Sequence, residues 1–274
     1  MANFISEYIL QHASEQLPYG KSIILAGGFS DRKIVMGVGT DSVFTLDSLQ
    51  STQDEADTRM LLHAVSLSSV SQRIIVRCDD TNVLVLLIHY FNRGLLAKEV
   101  FMFTGHSGKE RYIPIHDTAT ELGTSVCECL PAVHALSGYD STCSLHGIGK
   151  YTACSVFVKN VKVLGDLRFF HEDDDDDSVE SARKFAFLLY GQKAKNVKSL
   201  NELRYRLATT TDKSASMLPP TKDAFKQHVF RAKYQTRIWF ESHIAMPQAT
   251  NPVNHGWSAC DEGGIIPTMY TQES

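Results

Sequence analysis

The stretch RIIVRCDDTNVLVLLIHYF, residues 73–91, decides the fold class. Its opening residues, 73–78, are a β-branched run typical of a strand that is buried on both faces. Its last part, residues 83–91, has the apolar character of a helix. The polar residues 79–82 mark the turn between the two. A strand that leads directly into a helix is the repeating unit of α/β proteins, so the sequence predicts an α/β fold.

Strands and helices continue on both sides of this unit. Upstream, we predict a helix over residues 4–12, strands over 21–28, 33–38 and 43–46, and a helix that opens at Thr52, where Thr52 and Glu55 have capping-box spacing. Downstream, we predict strands over 100–103 and 112–115, then a helical region over 116–163 that is interrupted at Gly138 and at 147–149. This order predicts a mainly parallel central sheet flanked by helices on both faces.

The charge distribution divides the chain. The run HEDDDDDS, residues 171–178, predicts a solvated loop. We expect an α/β domain over residues 1–165, an acidic linker over 166–180, a helical extension over 181–245 and an extended tail over 246–274. Basic and aromatic residues interleave over 222–239, which favours an amphipathic helix with buried aromatics; contact with a phosphate backbone is the alternative.

Composition narrows the class of protein. No apolar run approaches the roughly 20 residues that span a bilayer, and the N-terminal residues lack the basic start of a signal peptide. We therefore expect an intracellular protein, nuclear or cytoplasmic, without a membrane partner. The six cysteines form no CxxC pair, which predicts reduced thiols without a zinc site. The net charge of −4 gives no overall electrostatic footprint for nucleic acid.

Acidic residues stand where the predicted loops meet helices. Glu55 and Asp57 open one helix, Asp80 and Asn82 follow the decisive strand, and Asp140 follows Gly138. Strand ends and helix starts face one crevice in an open α/β sheet, so these oxygens are candidate ligands for Mg²⁺ or Mn²⁺. Two such ions roughly 4 Å apart would clamp a phosphodiester. Taken one at a time, Glu55, Asp80 and Asp140 are also explained as capping residues, and Asp57 as a favourable charge on the helix dipole.

A second motif lies in residues 145–153, LHGIGKYTA. Glycines before a helix N-terminus let backbone N–H groups approach a phosphate, and Lys150 adds a positive charge. The alternative is a tight connection between two helices. The candidate residues for contact with a nucleic-acid backbone are Gly147, Gly149 and Lys150.

The order of these motifs resembles that of the flap endonuclease and xeroderma-pigmentosum-G type nucleases, which have a PIN-like fold. The chain has EAD at 55–57, DTN at 80–82, LSGYD at 136–140 and GIG at 147–149. It is more similar still to an uncharacterised, multi-copy group of mobile-element-like animal proteins. The matching stretches are DEADTR at 54–59, DTNVLVLL at 80–87 and LPAVHALSGYD at 130–140.

The resemblance implies a divalent-metal-dependent phosphodiester hydrolase that acts on structured DNA or RNA. Glu55, Asp57, Asp80 and Asp140 would hold Mg²⁺ or Mn²⁺, with Asn82 as a weak ligand, and water would be the nucleophile. Asn82 stands where the family has an aspartate. The family also has an aspartate-bearing N-terminal strand, and since nothing before residue 50 matches it, we expect that segment to be missing.

These departures support a second hypothesis, in which a catalytically degenerate PIN-like module binds nucleic acid or another protein. A third hypothesis is a dehalogenase-type phosphotransferase, because the sequence DDT at residues 79–81 resembles the start of that family's motif.

Overall fold

The computed structural model describes residues 2–139, 142–172, 176–211, 214–260 and 263–268. The chain is a mixed α/β protein, as predicted. Its helices are α1 (Ala2–His12), α2 (Ala56–Ser68), α3 (Thr81–Asn92), α4 (Ile115–Leu122), α5 (Thr124–Leu136), α6 (Lys150–Leu164), α7 (Asp176–Tyr190), α8 (Leu200–Thr210) and α9 (Lys222–Phe240). Its strands are β1 (Ser22–Ala26), β2 (Val35–Gly39), β3 (Val43–Thr45), β4 (Arg73–Arg77), β5 (Glu99–Thr104), β6 (Arg111–Pro114), β7 (Trp257–Ala259) and β8 (Ile265–Pro267).

The strands form small sheets in place of one large sheet. β1, β2 and β3 make an antiparallel sheet, β4, β5 and β6 make a mixed sheet, and β7 pairs with β8. Across the described ranges, only the β4–β5 pair is parallel, so the prediction of a mainly parallel central sheet is wrong. Two parallel strands need a crossover connection of about a dozen residues or more. The connections from β1 to β2 and from β2 to β3 are shorter, so these strands pair antiparallel.

β4 is an edge strand with one exposed face. Its burial alternates, so that Ile74 is buried against the core while Ile75 is 54% exposed on the other face. Tyr112 of β6 is 56% exposed, and its ring stacks on that of Phe103. The prediction that residues 73–78 are buried on both faces is therefore wrong. β-Branched residues indicate a good fit to a pleated surface, and they do not report how many layers cover it.

The core lies among the helices that follow β4. α5 is buried along most of its length and packs against α3, α6 and α9. The hydrophobic cluster continues through Phe157 of α6, Phe185 of α7 and Trp239 of α9, all of which are buried. Leu167 and Phe170, which fall inside the predicted acidic linker, belong to the same cluster. Residues 165–170 therefore pack into the core, and α7 begins at Asp176 within the acidic run.

The C-terminal region is tied to the last helix. α9 buries Phe225 and Trp239 and exposes Lys226, as the amphipathic interpretation predicts. Arg231 departs from that pattern because it is 5% exposed.

All six cysteines are free thiols, as predicted. In the part of the chain that the structure describes, no helix has both the length and the apolar character to cross a membrane.

Candidate metal and nucleic-acid site

Glu55 is held at the start of α2 by a residue far along the chain. It is the N-cap residue of α2, with extended backbone and no side-chain capping bond. Its carboxylate accepts hydrogen bonds from Nε2 of Gln235 at 3.0 and 3.2 Å. Gln235 lies on α9 and is 3% exposed, so Glu55 is anchored to the core.

The predicted capping box of Thr52 and Glu55 is wrong. Thr52 lies before the helix, and its N–H donates to the carbonyl of Ala245. The side chain of Gln53 donates to the carbonyls of Ser242 and Ile244. Because these tertiary hydrogen bonds hold residues 52 and 53 outside the helix, α2 begins at Ala56 instead of Thr52.

Asp57 and Asp80 both accept hydrogen bonds from Asn82, one from its side chain and the other from its backbone. Asp57 lies in the first turn of α2, and its Oδ2 accepts from Nδ2 of Asn82 at 3.0 Å. Asp80 is the N-cap residue of α3, and its Oδ1 accepts from the backbone N–H of Asn82 at 2.8 Å. Two carboxylates from different helices therefore flank Asn82. Each also lies at the positive end of a helix dipole, which stabilises negative charge.

The other end of the Asn82 amide faces a histidine. Nε2 of His134 lies 2.7 Å from Oδ1 of Asn82. The amide nitrogen donates to a carboxylate, which only accepts, so the amide oxygen must accept from a protonated Nε2. Burial, and then the charge of Lys150, lowers the pKa of His134 to about 3. The imidazole is therefore neutral at neutral pH and fixes the direction of the amide.

The turn before α6 connects to the same group of residues. Lys150 is the first residue of α6, and its Nζ donates to the carbonyl of His134 at 2.7 Å. Gly149 is the N-cap residue of α6, and Gly147 has a φ of +73°. Both glycines are exposed. Of the predicted backbone-contact residues, Lys150 thus contacts His134, which in turn contacts Asn82.

Gly138 allows a close approach of two backbone segments. It has a φ of +105°, and a Cβ at this position would lie 2.7 Å from Cα of Ser144. Tyr139 and Thr142 are hydrogen-bonded to each other through their backbones, at 3.1 and 2.8 Å. Asp140, the fourth predicted metal ligand, lies outside the described residues. Tyr139 and Thr142 therefore lie close together directly after α5.

The site residues form two groups. Asp57, Asp80 and Asn82 meet at the starts of α2 and α3, whereas Glu55 faces Gln235. Within the described ranges, no three Asp, Glu, His or Cys side chains are arranged to share one metal ion. Neither His134 nor Gln235 is among the site residues that the sequence predicts. The position of His134 within LPAVHALSGYD was an available signal, but no local signal marks Gln235, which is 180 positions from Glu55.

Asp79 does not join this site. Its Oδ1 accepts from the backbone N–H of Gly105 at 2.6 Å and from the hydroxyl of Thr104 at 2.9 Å. These hydrogen bonds, the one from Gly105 first, lower the pKa of the Asp79 carboxyl. Asp79 therefore closes the loop after β5, while Asp80 caps α3.

No protein-family model matches the chain, and neither does any curated protein or any solved structure.

Proposed function

We propose that the chain is a divalent-metal-dependent phosphodiester hydrolase with a PIN-like fold that acts on DNA or RNA. The observation that supports this proposal most directly is the convergence of Asp57 and Asp80 on Asn82. The two carboxylates come from the N-termini of different helices, which is how an α/β protein gathers charge from separate parts of its sequence.

The donor atoms suit a hard cation. Carboxylate and amide oxygens are preferred by Mg²⁺ and Mn²⁺ over the nitrogen and sulfur ligands that select other metals. In this proposal Glu55, Asp57, Asp80 and Asp140 hold the ion, and Asn82 uses its remaining lone pair. When bound, the ion supplies Lewis-acid stabilisation of the charge that develops on the phosphate oxygens. The neutral imidazole of His134 keeps the amide oriented without adding a positive charge that would repel the cation.

The exposed glycines supply the substrate contact in this proposal. The N-terminal N–H groups of α6 lack partners within the helix and favour an anion. A phosphate of DNA or RNA that lies over Gly147 and Gly149 would be close to Lys150, whose ammonium joins the turn to His134. The turn thus positions the nucleic-acid backbone relative to the carboxylates.

The test is a calorimetric titration with Mn²⁺ in which the wild type is compared with the variants Asp80→Ala and Asp79→Asn. Asp79→Asn is the matched control, since Asp79 is the adjacent acid and is tied to residues 104 and 105. We expect the wild type and Asp79→Asn to bind Mn²⁺ and Asp80→Ala to lose binding. Loss of binding in Asp79→Asn alone would favour the dehalogenase-type hypothesis.

Two contacts favour a second candidate, a non-catalytic PIN-like module that binds nucleic acid or protein. The amide oxygen of Asn82 accepts from His134, and the carboxylate of Glu55 accepts from Gln235. Such contacts let polar groups near the helix starts be satisfied without a cation. In that case the wild type would bind no Mn²⁺ at millimolar concentration, and it would still bind oligonucleotides or a protein partner in the presence of a chelator.

A further inference from the structure

The strand β4 has an open edge. The N–H of Cys78 donates to Phe103 at 3.1 Å and the N–H of Glu99 donates to Gln72 at 3.0 Å, so the even-numbered residues face β5. Backbone groups of successive residues in a strand point to opposite sides, so those of Arg73, Ile75 and Arg77 point to the open edge. Within the described ranges, β4 pairs with β5 alone.

A groove runs beside this edge. It has a volume of about 640 Å³ and lies between β1, α2 and β4. Its apolar lining includes Ile24 of β1, Met60 and Leu67 of α2, and Ile75 of β4. Unpaired backbone groups next to an apolar groove are the features that recognise an extended peptide, because the peptide pairs its backbone with the edge and places alternate side chains in the groove.

The groove carries positive charge. Arg32, Arg59 and Arg77 contribute to its lining, and Asp54 is the acidic residue among the described lining residues. Burial, and then the charge of Arg59, lowers the pKa of His63, so this fourth basic residue is neutral at neutral pH. The described lining thus has three guanidinium groups and one carboxylate, and this excess of positive charge favours an acidic ligand.

We propose that the open edge of β4 and this groove bind an extended, acidic segment of a partner protein, which adds to the sheet as a strand next to β4. One acidic side chain of the segment lies opposite Arg77 and another opposite Arg73, whose guanidinium also forms a salt bridge with Glu99. An apolar side chain lies opposite Ile75. The proposal does not depend on the metal site, because none of the proposed metal ligands that the structure describes lines the groove.

The same arginines disfavour a second copy of the chain. In an antiparallel pair of β4 strands centred on Ile75, Arg73 of each copy would lie opposite Arg77 of the other. Like charges that face each other across a strand pair are destabilising. A single-stranded nucleic acid would satisfy the arginines, but its backbone has no N–H groups to pair with the strand carbonyls.

The experiment measures fluorescence anisotropy of a labelled peptide, acetyl-Thr-Glu-Val-Val-Val-Glu-Thr-amide, titrated with the full chain. Control peptides carry lysine in place of both glutamates, or N-methyl groups on the amides that would face β4. The protein variants are Ile75→Pro, which removes an outward N–H and leaves the bonds to β5, and Ile75→Val as its matched control. Thermal unfolding verifies that each variant is folded.

We expect binding of the acidic peptide to the wild type and to Ile75→Val. The lysine peptide, the N-methylated peptide and Ile75→Pro should each weaken binding by about tenfold or more. The N-methylated peptide keeps the test valid if Ile75→Pro does not fold. Absence of binding, or equal affinity for the acidic, lysine and N-methylated peptides, would overturn the proposal. A different pattern would overturn the proposal in favour of nucleic acid. In that pattern oligothymidylate displaces the peptide, and the affinity for the peptide is unchanged in Ile75→Pro and lowered in Arg32→Glu.

Discussion

His134 donates from Nε2 to Oδ1 of Asn82 across 2.7 Å, and this contact sets the direction of the amide that holds Asp57. His134 is 4% exposed and Asn82 is 6% exposed, so water does not replace either partner. A chain of side chains thus links α5, α3 and α2. In the proposed PIN-like nuclease, Asn82 stands where the DxD motif has its second aspartate.

Asn82→Asp is expected to destabilise the chain without metal and to strengthen metal binding. The new carboxylate would face that of Asp57 across the present 3.0 Å hydrogen bond. Repulsion in a buried position should lower the free energy of unfolding by about 2 kcal/mol in EDTA. A cation between the carboxylates would relieve the repulsion, so Mn²⁺ should restore stability. Urea unfolding with and without Mn²⁺ measures both effects, and Asn82→Ala is the control that adds no charge.

Acid is expected to destabilise the chain through its buried histidines. The pKa of His134 is lowered from 6.5 to about 3, chiefly by burial. Between these values the unfolded state binds a proton that the folded state does not, so stability falls as the pH falls. The slope for one group is about 1.4 kcal/mol per pH unit. Burial also lowers the pKa of His89 and His228 to about 4, so they act in the same direction.

His134→Gln should remove the share of that slope that belongs to His134. As the pH falls below the ordinary pKa of histidine, we expect the free energy of unfolding to fall less steeply in the variant than in the wild type. The difference between the two slopes should be about 1.4 kcal/mol per pH unit. Urea titrations at a series of pH values measure the slope. An unchanged slope in His134→Gln would show that His134 is already protonated in the folded chain.

Gln235→Ala is expected to lower stability through Glu55. The variant removes the amide that donates to both carboxylate oxygens and leaves a partly buried charge less well satisfied. Hydrogen bonds to charged groups contribute about 1.5–3 kcal/mol each. A double-mutant cycle with Glu55→Gln isolates the pair, and we expect a coupling free energy of about 1 kcal/mol. Additive losses would mean that the two residues stabilise the chain independently.

The parts of the fold that the sequence predicts are those with local causes. Asp80 has the side chain of an N-cap residue and serves as one, and α3 follows it within two positions of the predicted start. By contrast, the capping box at Thr52 fails because Ala245, from the far end of the chain, binds its N–H. A local sequence pattern indicates which structures a segment can form, and its tertiary contacts determine which of them it adopts.

The same distinction between local causes and tertiary contacts applies to the candidate site. The pattern of residues 80–82 places a carboxylate and an amide at a helix start, and the structure has them there. Nothing in the sequence around Asn82 indicates that His134 will orient its amide, or that Gln235 will hold Glu55. These partners lie on α5 and α9, and their approach depends on how the core packs. The exposed face of β4 was also missed, because a β-branched run does not report which layers cover it.

Gly138→Ala is expected to be far more harmful than Gly147→Ala. Both glycines have a positive φ, which alone costs a side chain about 1 kcal/mol. A Cβ at Gly138 would also lie 2.7 Å from Cα of Ser144, whereas a Cβ at Gly147 would have no atom within 4 Å. We expect a loss of roughly 3 kcal/mol for Gly138→Ala and about 1 kcal/mol for Gly147→Ala. Equal losses by urea unfolding would show that the contact with Ser144 is relaxed at no cost.

Arg231 is expected to hold the C-terminal residues on α9. Its Nη1 donates to the carbonyls of Gly256 and Thr268 at 3.0 and 3.1 Å, and its guanidinium lies 5.9 Å from the ring of Trp257. Arg231→Met keeps an apolar stem and removes these donors, so stability should fall by about 2 kcal/mol and residues 247–268 should become sensitive to protease.

Lys226→Met is the control on the same helix, since Lys226 is exposed and lies over Phe230 at 5.6 Å. It should cost about 0.5 kcal/mol and leave the proteolysis pattern unchanged, because an exposed cation–π contact is weak. If both variants were cleaved alike, Arg231 would not be what fastens the C-terminal residues to the helix.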